Sequence, residues 1–163
     1  MNDFEERSEP YEALWDRALW HLGRRDFGAK ELRERLLRYR PNNKPSPSEE
    51  DVEKALARLQ ELGLIDDERR AERLTESLQR KGYGKRHIQM ELRQRGLPEP
   101  EEAPEDEGEI IARLLQTKYA AKLGDERNRR LTVQALLRRG FQYAGIRDAM
   151  KLSDELDYID DFE

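Results

Sequence analysis

Cysteine is absent from this 163-residue sequence, so neither a disulfide framework nor a thiolate metal site is open to it. That absence fits a reducing cytoplasm. Histidine occurs only as His21 and His87, and neither stands in an HxxxH or HExxH spacing, so no metal site is expected. Valine occurs only at Val52 and Val133, and no stretch alternates apolar and polar residues far enough to read as a strand. No apolar run is long enough to span a bilayer, and the opening MNDFEERSEP is acidic rather than signal-like. Hydrophobic residues make up only 36% of the chain. So few apolar residues must be spread over small packing contacts rather than one thick core. An elongated helical array tolerates that better than a compact sheet.

What the sequence has in quantity is charge, at 41% of residues, with a formal net charge of −5. The charge is segregated. Residues 1–9 hold four acids and one base, residues 99–109 seven acids, and residues 153–163 six acids. The remainder has 19 acids against 30 bases, a net of +11. A basic body thus carries acidic tails and an acidic connector at 98–108. Such a body suits nucleic acid or an acidic protein surface, or it simply keeps a thin helical protein soluble.

Helix signals run along the whole chain. Residues 11–24 place Leu14, Ala18 and Leu22 on one face, with Trp15 and Leu19 beside it. Gly28 and Ala29 open a short helix with Leu32, Leu36 and Leu37 inward, and the proline-rich 41–47 stretch follows as an exposed loop. Ser48, with Asp51 three residues on, reads as an N-cap before the stripe Val52, Ala55, Leu56, Leu59 and Leu62, which Gly63 ends. Asp66 or Asp67 caps the next helix, which runs to about Arg80 with Ala71, Leu74 and Leu78 inward. Residues 85–95 form a short helix with Ile88 and Leu92 inward, and 109–122 a longer one with Ile110, Ile111, Leu114, Leu115 and Tyr119. Asp125 starts a helix to Arg139 carrying Leu131, Val133, Leu136 and Leu137. A short helix covers 143–151, and Ser153 caps a weak last one.

One phrase occurs three times: RRDFGAKELRERL, RKGYGKRHIQMEL and RRGFQYAGIRDAM. Aligned on Phe27, Tyr83 and Phe141, each copy has Leu22, Leu78 or Leu136 five residues before. Cation pairs Arg24–Arg25, Arg80–Lys81 and Arg138–Arg139 stand three and two residues before it. Leu32, Ile88 and Ile146 follow five residues after the aromatic, and Leu36, Leu92 and Met150 nine after. The second and third copies also share Asp-Glu-Arg sixteen residues upstream, at Asp67 and Asp125. Matching positions at fixed offsets define an internal repeat. The expected fold is all-α, a tandem array of three three-helix repeats, elongated and curved. Residues 1–9 form an acidic tail, followed by repeats over 10–63, 64–123 and 124–163, the last with its acidic C-terminal tail.

Catalysis needs a nucleophile or base with a partner, or a metal, and nothing in the sequence makes such a site. The Gly82-Tyr83-Gly84 run follows a helix rather than a strand, so it lacks the context of a phosphate-binding loop. The cation pairs lie at helix C-termini, where they complement the macrodipole and bind the last carbonyls. They also cluster with Lys85, Arg86, Arg93 and Arg95 in the middle repeat, and with Arg33, Arg35, Arg38 and Arg40 in the first. Such a stripe would give phosphate contacts without sequence specificity, weakened steeply by salt. Phe27, Tyr83 and Phe141 read as core plugs. A third possibility is an array whose surface holds an extended protein partner.

The stretch LGLIDDERRAERLTESLQRKGYGKRHIQMELRQRGL, residues 62–97, resembles the signature of the RecX family, bacterial regulators of the RecA recombinase. WDRALWHLGRRDFGAKELRERLL and LLRRGFQYAGIRDAM are similar to the family's first and third repeats, so the resemblance covers about residues 10–152. It implies a cytoplasmic, monomeric, cofactor-free modulator, not an enzyme. It also implies binding in the RecA filament groove, inhibition of recombinase and ATPase activity in DNA repair and the SOS response, and in some members contact with DNA. One departure is Arg70, where the family pattern has an aromatic. The candidate partner-binding residues are Arg24, Arg25, Arg80, Lys81, Lys85, Arg86, Arg93, Arg95, Arg138 and Arg139. The expected repeat anchors are Phe27, Leu32, Tyr83, Ile88, Leu92, Phe141 and Ile146.

Overall fold

The computed structural model describes residues 8–101 and 105–151. Among them there is no strand. The helices are α1 (Glu9–Leu22), α2 (Ala29–Leu37), α3 (Glu49–Glu61), α4 (Asp67–Arg80), α5 (Lys85–Arg95), α6 (Glu107–Gln116), α7 (Glu126–Arg138) and α8 (Tyr143–Met150). A 3₁₀ turn over Ala120–Lys122 lies between α6 and α7. The chain is all-α, and its helices follow the expected order of a long helix, a short one after the aromatic, and a third. The last helix expected, after Ser153, and both acidic tails beyond residues 8 and 151 fall outside the described residues.

Two compact units form. One holds the described residues up to Glu72 together with Leu92–Glu99, the other Arg73–Glu91 and the described residues from Pro100 onward. In the first, α1, α2 and α3 bury Leu14, Ala18, Leu32, Leu36, Val52 and Leu59 around Phe27. Ser48 starts α3 with a reciprocal capping box: its hydroxyl accepts from the Asp51 N–H at 3.1 Å while the Asp51 carboxylate accepts from the Ser48 N–H at 2.8 Å. Asp66 caps α4, accepting from the Arg69 N–H at 2.9 Å. Asp67 does something else: its carboxylate accepts the Ala29 N–H at 2.9 Å, so it caps α2, 38 residues upstream. Gly28 has no side chain to do this, and a Cβ there would stand 2.9 Å from Leu97.

In the second unit, α6, α7 and α8 bury Ile110, Ile111, Leu114, Leu136, Ile146 and Met150 around Phe141. Part of the acidic connector is built in. Glu105 pairs with Arg113 at 2.9 Å, and its backbone makes a reciprocal hydrogen-bonded pair with the buried amide of Gln79. Both Asp106 and Glu107 serve helix N-termini, Asp106 as the N-cap of α6 and Glu107 by accepting the Lys85 N–H of α5.

Some sequence expectations need correction. The α1 helix stops at Leu22 rather than Arg24, because the chain turns at Gly23 and Arg24–Arg25 lie beyond it. Leu62 is exposed: it is the C-cap of α3, and the turn at Gly63 sends Ile65 inward instead. The α6 helix ends at Gln116, six residues short of the expected end, where the Thr117 hydroxyl bonds back to the Arg113 carbonyl at 2.7 Å and the backbone leaves helical geometry. In α7 the buried stripe is Thr132, Val133 and Leu136, which leaves Leu131 and Leu137 exposed on its flanks. Thr132 tolerates burial because its hydroxyl donates to the Asn128 carbonyl at 2.9 Å. Tyr83 is half-buried rather than a core plug, because its ring packs on His87 and Arg139 instead of entering a core cluster. Arg70, the departure from the family pattern, is also half-buried.

Candidate functional site

The second and third copies of the phrase lock together. Both helices end in the same turn, with Gly82 and Gly140 at φ +79° and +89°. In each, the glycine N–H donates three residues back and the following aromatic's N–H donates five back, to Leu78 and Leu136 respectively. The two turns then meet. The Gly84 N–H donates to the Arg139 carbonyl at 2.8 Å, and the Arg86 N–H to the Gly140 carbonyl at 3.1 Å. A Cβ on Gly84 would lie 2.5 Å from the Phe141 nitrogen, and one on Gly140 2.4 Å from the His87 nitrogen. Only glycines allow backbones this close.

Arg139 closes the junction from the side. Its Nη1 donates to the Lys81 and Gly82 carbonyls, both at 3.0 Å, and its Nε to the Tyr119 hydroxyl at 3.2 Å. The two carbonyls belong to the turn just past the end of α4. The same guanidinium lies 5.3 Å from the centre of the Tyr83 ring, which stacks on His87 with centroids 4.1 Å apart. Arg139 is therefore a half-buried structural clamp, and its guanidinium is already occupied.

Five other cations stand exposed on this junction: Arg80, Lys81, Lys85, Arg86 and Arg138. None of their side chains has an ion-pair partner among the described residues. They sit on a backbone frame held by inter-turn hydrogen bonds. That arrangement can hold anionic groups without a large ordering cost in the frame itself. Arg93 and Arg95 belong to the first unit, Arg93 exposed and Arg95 half-buried. Arg24 and Arg25 also belong there, with Arg24 lying 4.1 Å from the Trp20 ring centre and Arg25 4.1 Å from that of Phe27, while also pairing with Glu31. Of the expected anchors, Phe27, Leu32, Ile88, Leu92, Phe141 and Ile146 are buried.

Sequence reasoning missed a cleft of about 820 Å³ in the first unit, lined by Arg17, His21, Arg35, Arg38, Tyr39 and Arg40. His21 is buried, with its ring edge-on to Trp20 and Phe27 at 5.0 and 5.5 Å. Burial, with added repulsion from Arg17, Arg35, Arg25 and Arg24, lowers its pKa. A signal was present: Arg17, Trp20 and His21 share one face of α1 at helical spacing. Their partners on α2 are not readable from spacing alone.

Comparison with known proteins decides the family. The model of the second three-helix domain of RecX matches residues 66–101, which contain all six middle-repeat cations. The regulatory protein RecX of Cronobacter sakazakii is 40% identical over 101 residues, 60% of this chain and 61% of that protein. That of Pectobacterium atrosepticum is 33% identical over 137 residues, 74% of this chain and 85% of that protein. The chain belongs to the RecX family. Solved RecX structures share its fold. The crystal structure of RecX from Lactobacillus salivarius superposes with a TM-score of 0.73 at 20% identity, covering 88% of this chain and 96% of that one. A crystal structure of regulatory protein RecX gives 0.68 at 21% identity, covering 89% and 73%. The chain thus spans about three fifths of the length of its Cronobacter relative and most of the length of its Pectobacterium relative. Its curated RecX relatives bear the name of regulatory proteins.

Proposed function

We propose that this chain is a cytoplasmic, monomeric regulator that binds the RecA nucleoprotein filament and inhibits its recombinase and ATPase activity in DNA repair and the SOS response, without catalysis of its own. The observation that carries the reading is the set of five exposed cations, Arg80, Lys81, Lys85, Arg86 and Arg138, on the locked junction of two repeated turns. A rigid, repeated cation display suits a partner that itself repeats, and a filament of protein on nucleic acid presents acids and phosphates at a fixed period. The second reading is a non-specific DNA binder that acts by masking DNA. Unpaired exposed cations favour it too, since phosphate contacts need nothing more.

The test is ATP hydrolysis by RecA on single-stranded DNA, titrated with this protein. Inhibition at substoichiometric protein is expected, with the Lys85→Ala/Arg86→Ala/Arg138→Ala variant at least tenfold weaker. No change in rate up to equimolar protein would sink the proposal. Repeating the titration with DNA in large excess separates the two readings: inhibition persists for a filament target and disappears for DNA masking.

A further inference from the structure

We infer that the acidic segment 152–163 of this chain docks on the outer face of α7, where its apolar residues cover Leu131 and Leu137 and its carboxylates meet Arg127 and Arg138. The inference concerns contacts within the second unit and does not rest on the function proposed above.

The face comes first. Leu131 is 50% exposed and Leu137 38%, and both stand on α7. Positions 127, 131, 134 and 138 recur at steps of four, three and four residues, so Arg127, Leu131, Gln134 and Arg138 share one face of the helix, with Leu137 at its edge. Both arginines are exposed and have no ion-pair partner among the described residues. The inner face is already taken. Thr132, Val133 and Leu136 are buried there, in the core that α6 completes by packing on α8. A further element can therefore reach α7 only from outside.

The occupant comes second. Residues 152–163 hold six acids and no base, which complements the cations of this face. Their apolar residues are not scattered. Leu156, Ile159 and Phe162 recur every third residue, the spacing at which Leu131, Gln134 and Leu137 recur on α7. On a helix each set spans about 9 Å. Glu155, Asp160 and Glu163 would flank that apolar stripe, and the other acids would face away from it. A helix this short is marginal in water by itself, so the segment takes its order from the face it covers.

Reach comes third. The left-handed Lys151 ends α8, and the Arg129 Nη2 donates to the Met150 carbonyl at 3.4 Å. The segment thus departs from beside the first turns of α7. Arg138 lies about 14 Å further along α7, at roughly 1.5 Å per residue, and a helix over 153–163 is about 15 Å long. It can run alongside α7 and bring Asp160 and Glu163 to Arg138. The tether also holds the segment at an effective concentration in the millimolar range, which favours it over the same segment of a second copy. Docking screens Arg138, one of the five junction cations, from other anions.

The sequence has no cysteine, so Asp161→Cys, away from the apolar stripe, gives a single site for a nitroxide spin label on the full chain. The amide NMR signals of Leu131, Gln134 and Arg138 should lose more than half their intensity. Leu156→Ser/Ile159→Ser leaves the net charge unchanged, yet should restore at least half of that loss and tighten binding of heparin, used as a polyanion probe, at least threefold. Leu131→Ser/Leu137→Ser changes two exposed positions and should do the same from the other side. A mixture of spin-labelled chain with unlabelled-side-chain, nitrogen-15 chain should show no broadening. The inference is overturned if the α7 amides keep their intensity, if both serine variants leave broadening and heparin affinity as in the parent, or if the mixture broadens as strongly as the single chain, which would assign the face to a second copy.

Discussion

The first copy of the repeated phrase and the later two look alike in sequence and end their helices differently. One residue before the aromatic, the first copy has Asp26, where the others have Gly82 and Gly140. Those glycines adopt positive φ and close the turn directly after Lys81 and after the cap residue Arg139. Without one, α1 stops earlier, at a turn through Gly23, whose φ of −68° is ordinary. The cations at the same offset then take different tasks. Arg25 is exposed, pairs with Glu31 and covers Phe27, whereas Arg139 is half-buried and holds the carbonyls of Lys81 and Gly82. A repeated phrase fixes the apolar anchors around a helix break. What its cations do is decided by what the fold sets opposite them.

The comparison breaks hardest at the glycines. Gly140→Ala forces an L side chain into the left-handed region and against the His87 backbone, which an exposed rotamer cannot relieve. It should cost about 3 kcal/mol or more, or prevent folding of the second unit. Gly23→Ala meets nothing closer than the Leu19 carbonyl oxygen at 3.4 Å, and should change stability by no more than about 0.5 kcal/mol. Urea denaturation of both variants measures the difference. Equal midpoints would mean that the two turns are held alike after all.

The next largest difference is between the two arginines. Arg139→Ala leaves the carbonyls of Lys81 and Gly82 and the Tyr119 hydroxyl without their donor, and should cost about 2 kcal/mol. Arg25→Ala removes an exposed ion pair and a cation–ring contact, together worth roughly 1 kcal/mol or less. Thermal unfolding of the two variants side by side is the measurement. An Arg139 variant no less stable than the Arg25 variant would remove the clamp from the account.

Helix order and most of the buried stripes were legible because apolar spacing and caps are local signals. Ser48 with Asp51 and the span of α5 are examples. The failures are long-range. Asp67 reads as a cap for its own helix, yet it caps α2, because nothing local records that Ala29 lies within 2.9 Å of it. Arg139 reads as a free cation because its acceptors are 57 and 58 residues away in sequence. The first-unit cleft follows the same rule: Arg17 and His21 stand on one readable face of α1, whereas the residues of α2 and of the stretch after it meet them only through packing.

The smallest expected effect lies in that cleft and is a pH dependence. His21 is held between Trp20 and Phe27, and the charged groups that bear on it are Arg17, Arg24, Arg25 and Arg35. Burial first, and then these charges, disfavour its proton, so its folded-state pKa lies below the ordinary 6.5 of the unfolded chain. Above that value both states are neutral at this site, and the favourable packing of the neutral ring is fully present. As the pH falls below it, the unfolded chain takes up the proton first, so stability is lost with acid until the folded-state pKa is passed. Carboxylates contribute at lower pH, so the effect is read as a difference. Between pH 7.5 and 5.5 the parent should lose more stability than His21→Gln, whose side chain does not titrate. If the two lose the same amount, His21 carries no linked proton, and its ring is not held buried between Trp20 and Phe27 in solution.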